Sequence, residues 1–115
     1  MMHDIRAQLR FLPISAQKVR LIVNLVRGKN AVQAQDMLRF MTQRAAEPVL
    51  KLLNSAIANA EEHFGISRDD LFIANIHADE GPTRMWRRFG ARGRFKPILR
   101  RSSHVTLILR ERESA

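Results

Sequence analysis

The 115-residue sequence contains no cysteine. Neither disulfides nor thiolate metal sites can therefore hold the chain together, and a reducing cytosol is the simplest compartment to expect. The N-terminal residues lack the charged segment and apolar run of a signal peptide, and no stretch approaches the roughly 18 continuous apolar residues of a membrane span. We expect a soluble, cytoplasmic protein with no membrane partner. A composition of 45% hydrophobic and 27% charged residues fits one globular domain over residues 1–115.

Sequence motifs of enzymes and metal sites are also missing. There is no HExxH, GxSxG, P-loop or dinucleotide-binding pattern. The four histidines are scattered, with no carboxylate at ligand spacing, so we expect no metal and no cofactor. Asp79 and Glu80 are adjacent carboxylates, but neighbours on a strand point to opposite faces and make a poor acid–base pair. A hydrolase that uses them is the least favoured alternative, and we expect no enzyme.

Acidic residues are absent from residues 83–109, a segment that holds eight basic residues. Residues 1–30 carry a net charge of +5 and residues 31–82 one of −4, within a total of +9. Such segregation predicts a polyanion bound along particular surfaces. Seven of the eight cations are arginine, whose planar fork binds phosphate at two points and stacks on bases. This bias favours structured RNA over an anionic membrane.

Period-two alternation predicts three strands, over residues 5–11, 71–78 and 104–109. The first strand has one apolar face and one face that carries Arg6, Gln8 and Arg10. The residues expected to face the core are Ile5, Ala7, Leu9 and Phe11 in the first strand, Phe72, Ala74, Ile76 and Ala78 in the second, and Val105, Leu107 and Leu109 in the third.

Helical spacing of apolar residues predicts three helices. The first two lie near residues 16–27 and 31–40, and the third ends at Gly65. The expected N-caps are Ser15, Asn30 and Thr42. Two starts are open for the third helix: near Gln43, where Pro48 would kink it, or near Glu47, where the proline would be benign.

These elements predict an α+β fold, a small three-stranded antiparallel sheet packed by three helices on one face. The basic segment 82–104 is too long for a tight turn and reads as a protruding β-hairpin arm with Gly90 and Gly93 at its tip. A two-stranded ribbon with so little apolar surface is marginal on its own in water. We therefore expect the arm to gain order from the polyanion that it touches.

Several ordered motifs carry a family resemblance: ISAQKVRLIVNLVRGK from Ile14, RAAEPVLKLLNSAIANAE from Arg44, DEGPTRMWRRFGARGR from Asp79, and RRSSHVTLIL, which ends at Leu109. Together they resemble the bacterial large-subunit ribosomal protein L-twenty-two family over nearly the whole chain. The resemblance implies a protein that binds 23S ribosomal RNA and helps the large subunit to assemble. It also implies that the hairpin lines the peptide exit tunnel beside the nascent polypeptide, that other large-subunit proteins are neighbours, and that there is no catalysis.

The resemblance assigns RNA contacts to positions that match the family's basic motifs. Those near the first helix are Lys18, Arg20, Arg27 and Lys29; those of the hairpin tip are Arg92, Gly93 and Arg94; and those of the returning strand are Arg100, Arg101, Ser103 and His104. Charge alone adds the remaining cations of the arm, Arg84, Arg87, Arg88 and Lys96. The chain departs from the family at Trp86, where arginine is common, and at Phe89 and Gly90, where proline and arginine are common.

A second class of function also fits a basic arm with interleaved aromatic residues. A DNA-bending architectural protein inserts apolar side chains between base pairs, and Trp86 or Phe89 would serve for that. Competition between duplex DNA and ribosomal RNA distinguishes the two functions.

Overall fold

The computed structural model describes residues 4–89 and 95–112. The elements in chain order are β1 (Asp4–Leu12), α1 (Ala16–Val26), α2 (Ala31–Phe40), α3 (Ala46–Phe64), a 3₁₀ turn (Arg68–Asp70), β2 (Leu71–Glu80), β3 (Arg84–Phe89), β4 (Phe95–Arg100) and β5 (Ser103–Glu111). Strand β5 lies between β1 and β2 and is antiparallel to both. Strands β3 and β4 form a separate antiparallel pair. The predicted α+β class is confirmed.

The core lies between one face of the three-stranded sheet and the helices. Helix α1 packs along β2, and α3 packs on β1 and β5. The inward side chains of the central strand are Val105, Leu107 and Leu109, all completely buried, as the alternation predicts. Their burial is the main favourable contribution to folding, because apolar area removed from water stabilises in proportion to its extent.

The start of α3 settles the two alternatives left by the sequence. Residues 43–46 form a turn in which the Ala46 N–H donates to the Gln43 carbonyl at 3.1 Å, and Ala45 occupies the N-cap position. Thr42 therefore does not cap this helix. Pro48 is the third residue of α3, where a backbone N–H has no partner within the helix, so the proline costs no hydrogen bond. Ser15 and Asn30 do occupy N-cap positions, but neither side chain makes a capping hydrogen bond.

Strand β1 departs from simple alternation near its end. Its pairing with β5 shifts between Leu9 and Leu12, and Phe11 adopts a positive φ of 58°. The irregularity reverses the facing of the last residues, because one extra residue in a strand exchanges its two faces. Leu12 is buried, whereas Phe11 is 62% exposed. The prediction that Phe11 faces the core is wrong.

A second irregularity lies in β2, where the pairing with β5 shifts between Ile73 and Asn75. Leu71 and Ile73 face the core before the shift, and Ile76 and Ala78 face it afterwards. The predicted facing is therefore correct for Ile76 and Ala78. It is wrong for Phe72 and Ala74, which are half-buried on the other side.

The outer edge of β2 is covered by the connection between α1 and α2. Gly28, with a φ of 80°, donates its N–H to the Ile73 carbonyl at 3.0 Å, and the Ile73 N–H donates to the Lys29 carbonyl at 2.9 Å. Asn30 continues this pairing through a bridge to Phe72. A positive φ suits glycine, which has no Cβ to clash. The edge is thereby closed to pairing with another chain over these residues.

Strands β3 and β4 form the arm predicted from the sequence, with pairing from Arg84 opposite Arg100 to Phe89 opposite Phe95. The arm is not a continuous extension of β2 and β5, because residues 81–83 and 101–102 interrupt both strands. The radius of gyration is 17.4 Å, against about 13 Å for a compact chain of this length. The long dimension of 68 Å agrees with an arm that protrudes from a small body. The predicted tip glycines, Gly90 and Gly93, lie outside the described residues.

Candidate nucleic-acid interface

Basic residues gather at one end of the sheet, where the arm leaves it. Leu12 and Glu80, the last residues of β1 and β2, both pair with Ser103, the first residue of β5. We call this the arm end. The exposed arginines that the chain places here are Arg10 on β1, Arg84 and Arg100 at the base of the arm, and Arg101 in the link to β5.

Helix α1 brings further cations to the arm end. The helix runs antiparallel to β2, since Arg20 Nε donates to the Ala78 carbonyl at 3.0 Å while Gly28, after the helix, contacts Ile73. The first turns of α1 therefore lie beside the end of β2, and Lys18 and Arg20 are both exposed there. Residues from both basic segments thus meet at the arm end, whereas Arg27 and Lys29 lie farther along β2, beside Ile76 and Ile73.

Acidic residues collect at the opposite end of the sheet. Asp69 and Asp70 immediately precede β2, and Glu61 and Glu62 are exposed in the last turn of α3, a few residues earlier in the chain. In the same region, Arg110 donates through a fork to Asp4 at 2.7 and 3.2 Å, and this hydrogen bond holds the pKa of Asp4 below its ordinary value of 3.8. Asp4, Glu61, Glu62, Asp69 and Asp70 thus lie at the end of the sheet away from the arm, and this end also carries Arg68 and Arg112. Asp79 and Glu80 are exposed at the arm end, and the exposed Glu47 lines a surface cavity with Leu12 and Pro13.

Arg20 and Arg27 use part of their hydrogen-bonding capacity within the protein. Arg27 donates from Nε and Nη2 to the Ile76 carbonyl, at 3.1 and 2.6 Å, and from Nη1 to Asn24 Oδ1 at 2.8 Å. Arg20 engages only Nε, so its two terminal amino groups have no partner within residues 4–89 and 95–112. Arg20 can present them to a phosphate, whereas Arg27 is held against β2. Both cover edge carbonyls of β2, beyond those paired by residues 28–30.

Replacement of Arg27 with methionine is expected to lower the free energy of unfolding by about 1–2 kcal/mol, because the Ile76 carbonyl loses a charged donor. Urea unfolding followed by circular dichroism measures the change. Lys18→Met is the matched control, since Lys18 lies on α1 and its side chain makes no hydrogen bond or ion pair within the described residues. Equal stability of the two variants would show that the Arg27 contacts do not hold α1 on β2.

The base of the arm is fixed by a short set of hydrogen bonds. The Gly81 N–H donates to the Ser102 carbonyl at 2.9 Å, and the Ser102 hydroxyl donates to the Pro82 carbonyl at 2.7 Å. A Cβ at position 81 would lie 2.5 Å from Ser102 Oγ. The segments around residues 81 and 102 therefore approach too closely for a residue larger than glycine, unless one of them moves. These contacts set the direction in which the arm leaves the body.

Cations lie opposite cations along the arm. The register pairs Arg84 with Arg100 and Arg88 with Lys96. Like charges directly opposite each other on a strand pair are destabilising. A bound polyanion would relieve this repulsion, which agrees with an arm that gains order from its partner. Arg87 also lies on β3, whereas Arg92, Gly93 and Arg94 lie outside the described residues.

Two residues expected in the returning strand occupy different environments. Ser103 is completely buried, and its hydroxyl has no hydrogen-bond partner within the described residues. In this conformation Ser103 cannot touch a partner at the surface. His104 is half-buried and accepts a hydrogen bond at Nδ1 from the Phe11 N–H at 3.0 Å. The Nδ1 atom of His104 is therefore engaged by strand β1.

Phe11 is the residue of this end that sequence reasoning missed. Its ring centroid lies 4.9 Å from that of His104 with the planes at 88°. A positive φ costs a non-glycine residue about 1–2 kcal/mol, so the conformation is kept by its surroundings. The available signal was the run from Phe11 to Ile14, in which Leu12 and Ile14 break the alternation of the strand.

Residues 4–89 and 95–112 contain no group of three or more histidine, aspartate or glutamate side chains placed to hold a metal ion. None of the helices described is long and apolar enough to cross a membrane. His77 and Asp79 form an exposed pair, with Nε2 and Oδ2 3.6 Å apart.

Comparison with known proteins identifies the family. The model of ribosomal protein L22p/L17e matches residues 7–110. Large ribosomal subunit protein uL22 of Thermoanaerobacter sp. strain X514 is 48% identical over 111 residues, which are 96% of this chain and 99% of the relative. The protein of the same name from Desulfitobacterium hafniense is 42% identical over 97% of this chain and 98% of its own length. The one from Cutibacterium acnes is 45% identical over 91% of this chain and 69% of its own length. The chain belongs to the L22p/L17e family of ribosomal proteins and is a constituent of the large ribosomal subunit.

Proposed function

We propose that the protein binds 23S ribosomal RNA, assists assembly of the large subunit and lines the peptide exit tunnel with its arm. The observation that carries the proposal is the meeting of exposed cations from both basic segments at the arm end, Arg10, Lys18 and Arg20 from the first and Arg84, Arg100 and Arg101 from the second. A surface of one charge sign attracts and orients a polyanion. Membership of the family places the protein among ribosomal RNA and other ribosomal proteins, in the cytoplasm where bacterial ribosomes lie.

The proposed RNA-binding residues fall into two groups. One group is on and after α1, and the other follows the arm from its base to its return into β5. Arg20, Arg84, Arg100 and Arg101 are the strongest members, because all four residues are exposed at the arm end. The full set is Lys18, Arg20, Arg27, Lys29, Arg84, Arg87, Arg88, Arg92, Gly93, Arg94, Lys96, Arg100, Arg101 and His104, while Ser103 would have to leave its buried position to join them.

The arm is proposed to contact the nascent polypeptide through the segment that matches the family's tip motif, Arg92 to Arg94. Support comes from the family resemblance and from the protruding form of the strand pair. The same assignment gives the protein a structural role, with no catalysis, cofactor or metal. The body anchors the arm through the hydrogen bonds between Gly81, Pro82 and Ser102.

Competition binding tests the assignment against the architectural DNA-binding alternative. Labelled 23S transcript is bound to the purified chain, and unlabelled 23S transcript or random-sequence duplex DNA is added. We expect the RNA to compete at equal concentration and the DNA only at about a hundredfold or greater excess, since DNA offers phosphate contacts alone. Duplex DNA that competes as well as the RNA would refute the 23S assignment.

A further inference from the structure

Phe11 combines three properties that rarely occur together in one residue. It is aromatic, it is 62% exposed, and it has a positive φ of 58°. Glycine would adopt this backbone conformation without strain. A large apolar ring at a strained, exposed position indicates that the ring itself has a use, as strained residues often do at binding sites.

His104 fixes the position of the Phe11 ring. The imidazole accepts a hydrogen bond from the backbone of Phe11 and packs against its ring in a perpendicular arrangement. The two contacts restrain both the main chain and the side chain of Phe11. A perpendicular contact leaves a ring face free, in agreement with the large exposed fraction.

Cations flank this ring, and one carboxylate, that of Asp79, belongs to the residue paired opposite His104. Arg10 precedes Phe11 and is exposed, and Arg101 lies three residues before His104 at the same end of the sheet. An apolar protein surface would meet unfavourable charge here, whereas a nucleic acid brings phosphates for the arginines and bases for the ring. Aromatic side chains next to cations are the recurrent means of holding unpaired bases.

We propose that the exposed face of Phe11 is a stacking platform for one unpaired base of the RNA, held in place by His104. The inference rests on the proposed function, because it names the contact that one residue of the body makes with the same RNA. It assigns a base contact to a residue outside the basic motifs of the arm and α1. Since every base has a stacking face, the platform selects an unstacked nucleotide rather than a particular base.

Substitutions at position 11 test the platform by equilibrium binding to 23S transcript. We expect Phe11→Gly and Phe11→Leu each to weaken binding about tenfold, and Phe11→Tyr to bind like the unmodified protein. Phe11→Gly also relieves the positive φ, so its melting temperature should be kept while its affinity falls. Phe64→Leu is the matched control, since Phe64 is an exposed phenylalanine beside Glu61 and Glu62, and it should leave binding unchanged.

The outcomes separate this proposal from the proposed function. If all Phe11 variants bind 23S transcript like the unmodified protein, the platform is refuted and ribosomal RNA binding stands. If the variants bind normally but enter large subunits poorly, the ring serves a protein neighbour and the platform is again refuted. If the unmodified protein does not bind the transcript, both proposals fail.

Ultraviolet crosslinking gives a second, direct readout. Short-wavelength irradiation joins stacked bases to the aromatic side chains that they touch, and mass spectrometry of the digested complex locates the nucleotide adduct. We expect an adduct on Phe11 in the complex with 23S transcript. Adducts found only in the arm would overturn the platform.

Discussion

Binding to 23S ribosomal RNA is expected to weaken by roughly a thousandfold when monovalent salt rises from about 50 mM to about 200 mM, if about six phosphates are neutralised. Each phosphate contact releases condensed counterions from the RNA and contributes roughly −0.7 to −0.9 to the slope of log affinity against log salt. The exposed arginines of the arm end and the cations of α1 are sufficient for that number. A salt titration of the equilibrium constant measures the slope.

Matched variants assign the slope to particular residues. Replacing Arg100 and Arg101 together with glutamine should reduce the slope by roughly 1.4 to 1.8, because two phosphate contacts are lost. Arg39→Gln is the control, since Arg39 lies on α2 with its Nη1 3.5 Å from Asp36 and belongs to the acidic middle of the chain. A slope near zero, or an equal effect of the two changes, would contradict an interface centred on the arm end.

The salt effect also separates the role of the arm from that of the body. Arg84 and Arg100 are paired across the two strands of the arm. We expect their like charges to weaken the arm in the free protein and salt to screen this repulsion. Free-state order should therefore rise with salt while affinity falls. Loss of phosphate contacts dominates the affinity, because the interface has many such contacts and the arm has few pairs of like charge.

Much of the fold was predictable because its rules are local. The burial of Val105, Leu107 and Leu109 follows from strict alternation, and the positive φ of Gly28 and Gly65 follows from the need to end a helix with a left-handed residue. The arm was predictable as a strand pair because so long a segment without apolar periodicity has few other ordered forms. These inferences required only neighbours in sequence.

The errors arose where distant contacts decide the geometry. Nothing near Ala74 indicates its shift of pairing with β5, and the broken alternation after Phe11 does not give the position of the extra residue. Each shift exchanges the two faces of its strand. The cap predicted at Thr42 failed because residues 43–46 form their own turn. Helix propensity and alternation do not predict strand register or the residue at which α3 begins, because tertiary contacts decide both.

The candidate interface was predictable in charge but not in detail. The two basic segments were identified from the sequence, yet their meeting depends on α1 running antiparallel to β2. Arg20 keeps terminal amino groups for a phosphate and Arg27 does not, and this difference depends on which β2 carbonyl each side chain reaches. Ser103 matched a motif and is buried, whereas Phe11 matched an inward pattern and is exposed. Sequence gives the class of partner, and the register of the strands gives the residues that can touch it.

Replacement of Leu107 with alanine is expected to lower the free energy of unfolding by about 3 kcal/mol, the largest effect on stability that we predict for one residue. Leu107 is completely buried in the middle of β5, opposite Ala7 on β1 and Ile76 on β2. Truncation removes apolar contacts and leaves a cavity that a strand paired on both sides cannot close. Urea unfolding measures the loss.

Leu21→Ala is the matched control, because Leu21 is 67% exposed on α1 and leucine and alanine have similar helix propensity. Its change should be below about 0.5 kcal/mol. A Leu107→Ala protein within about 1 kcal/mol of the unmodified chain would contradict the central position of β5. Native domains are stable by only about 5–15 kcal/mol, so this change removes a large share of the total. It also loosens the strand that starts at the base of the arm, and RNA affinity should then fall only as far as the folded fraction falls, because Leu107 touches no part of the interface.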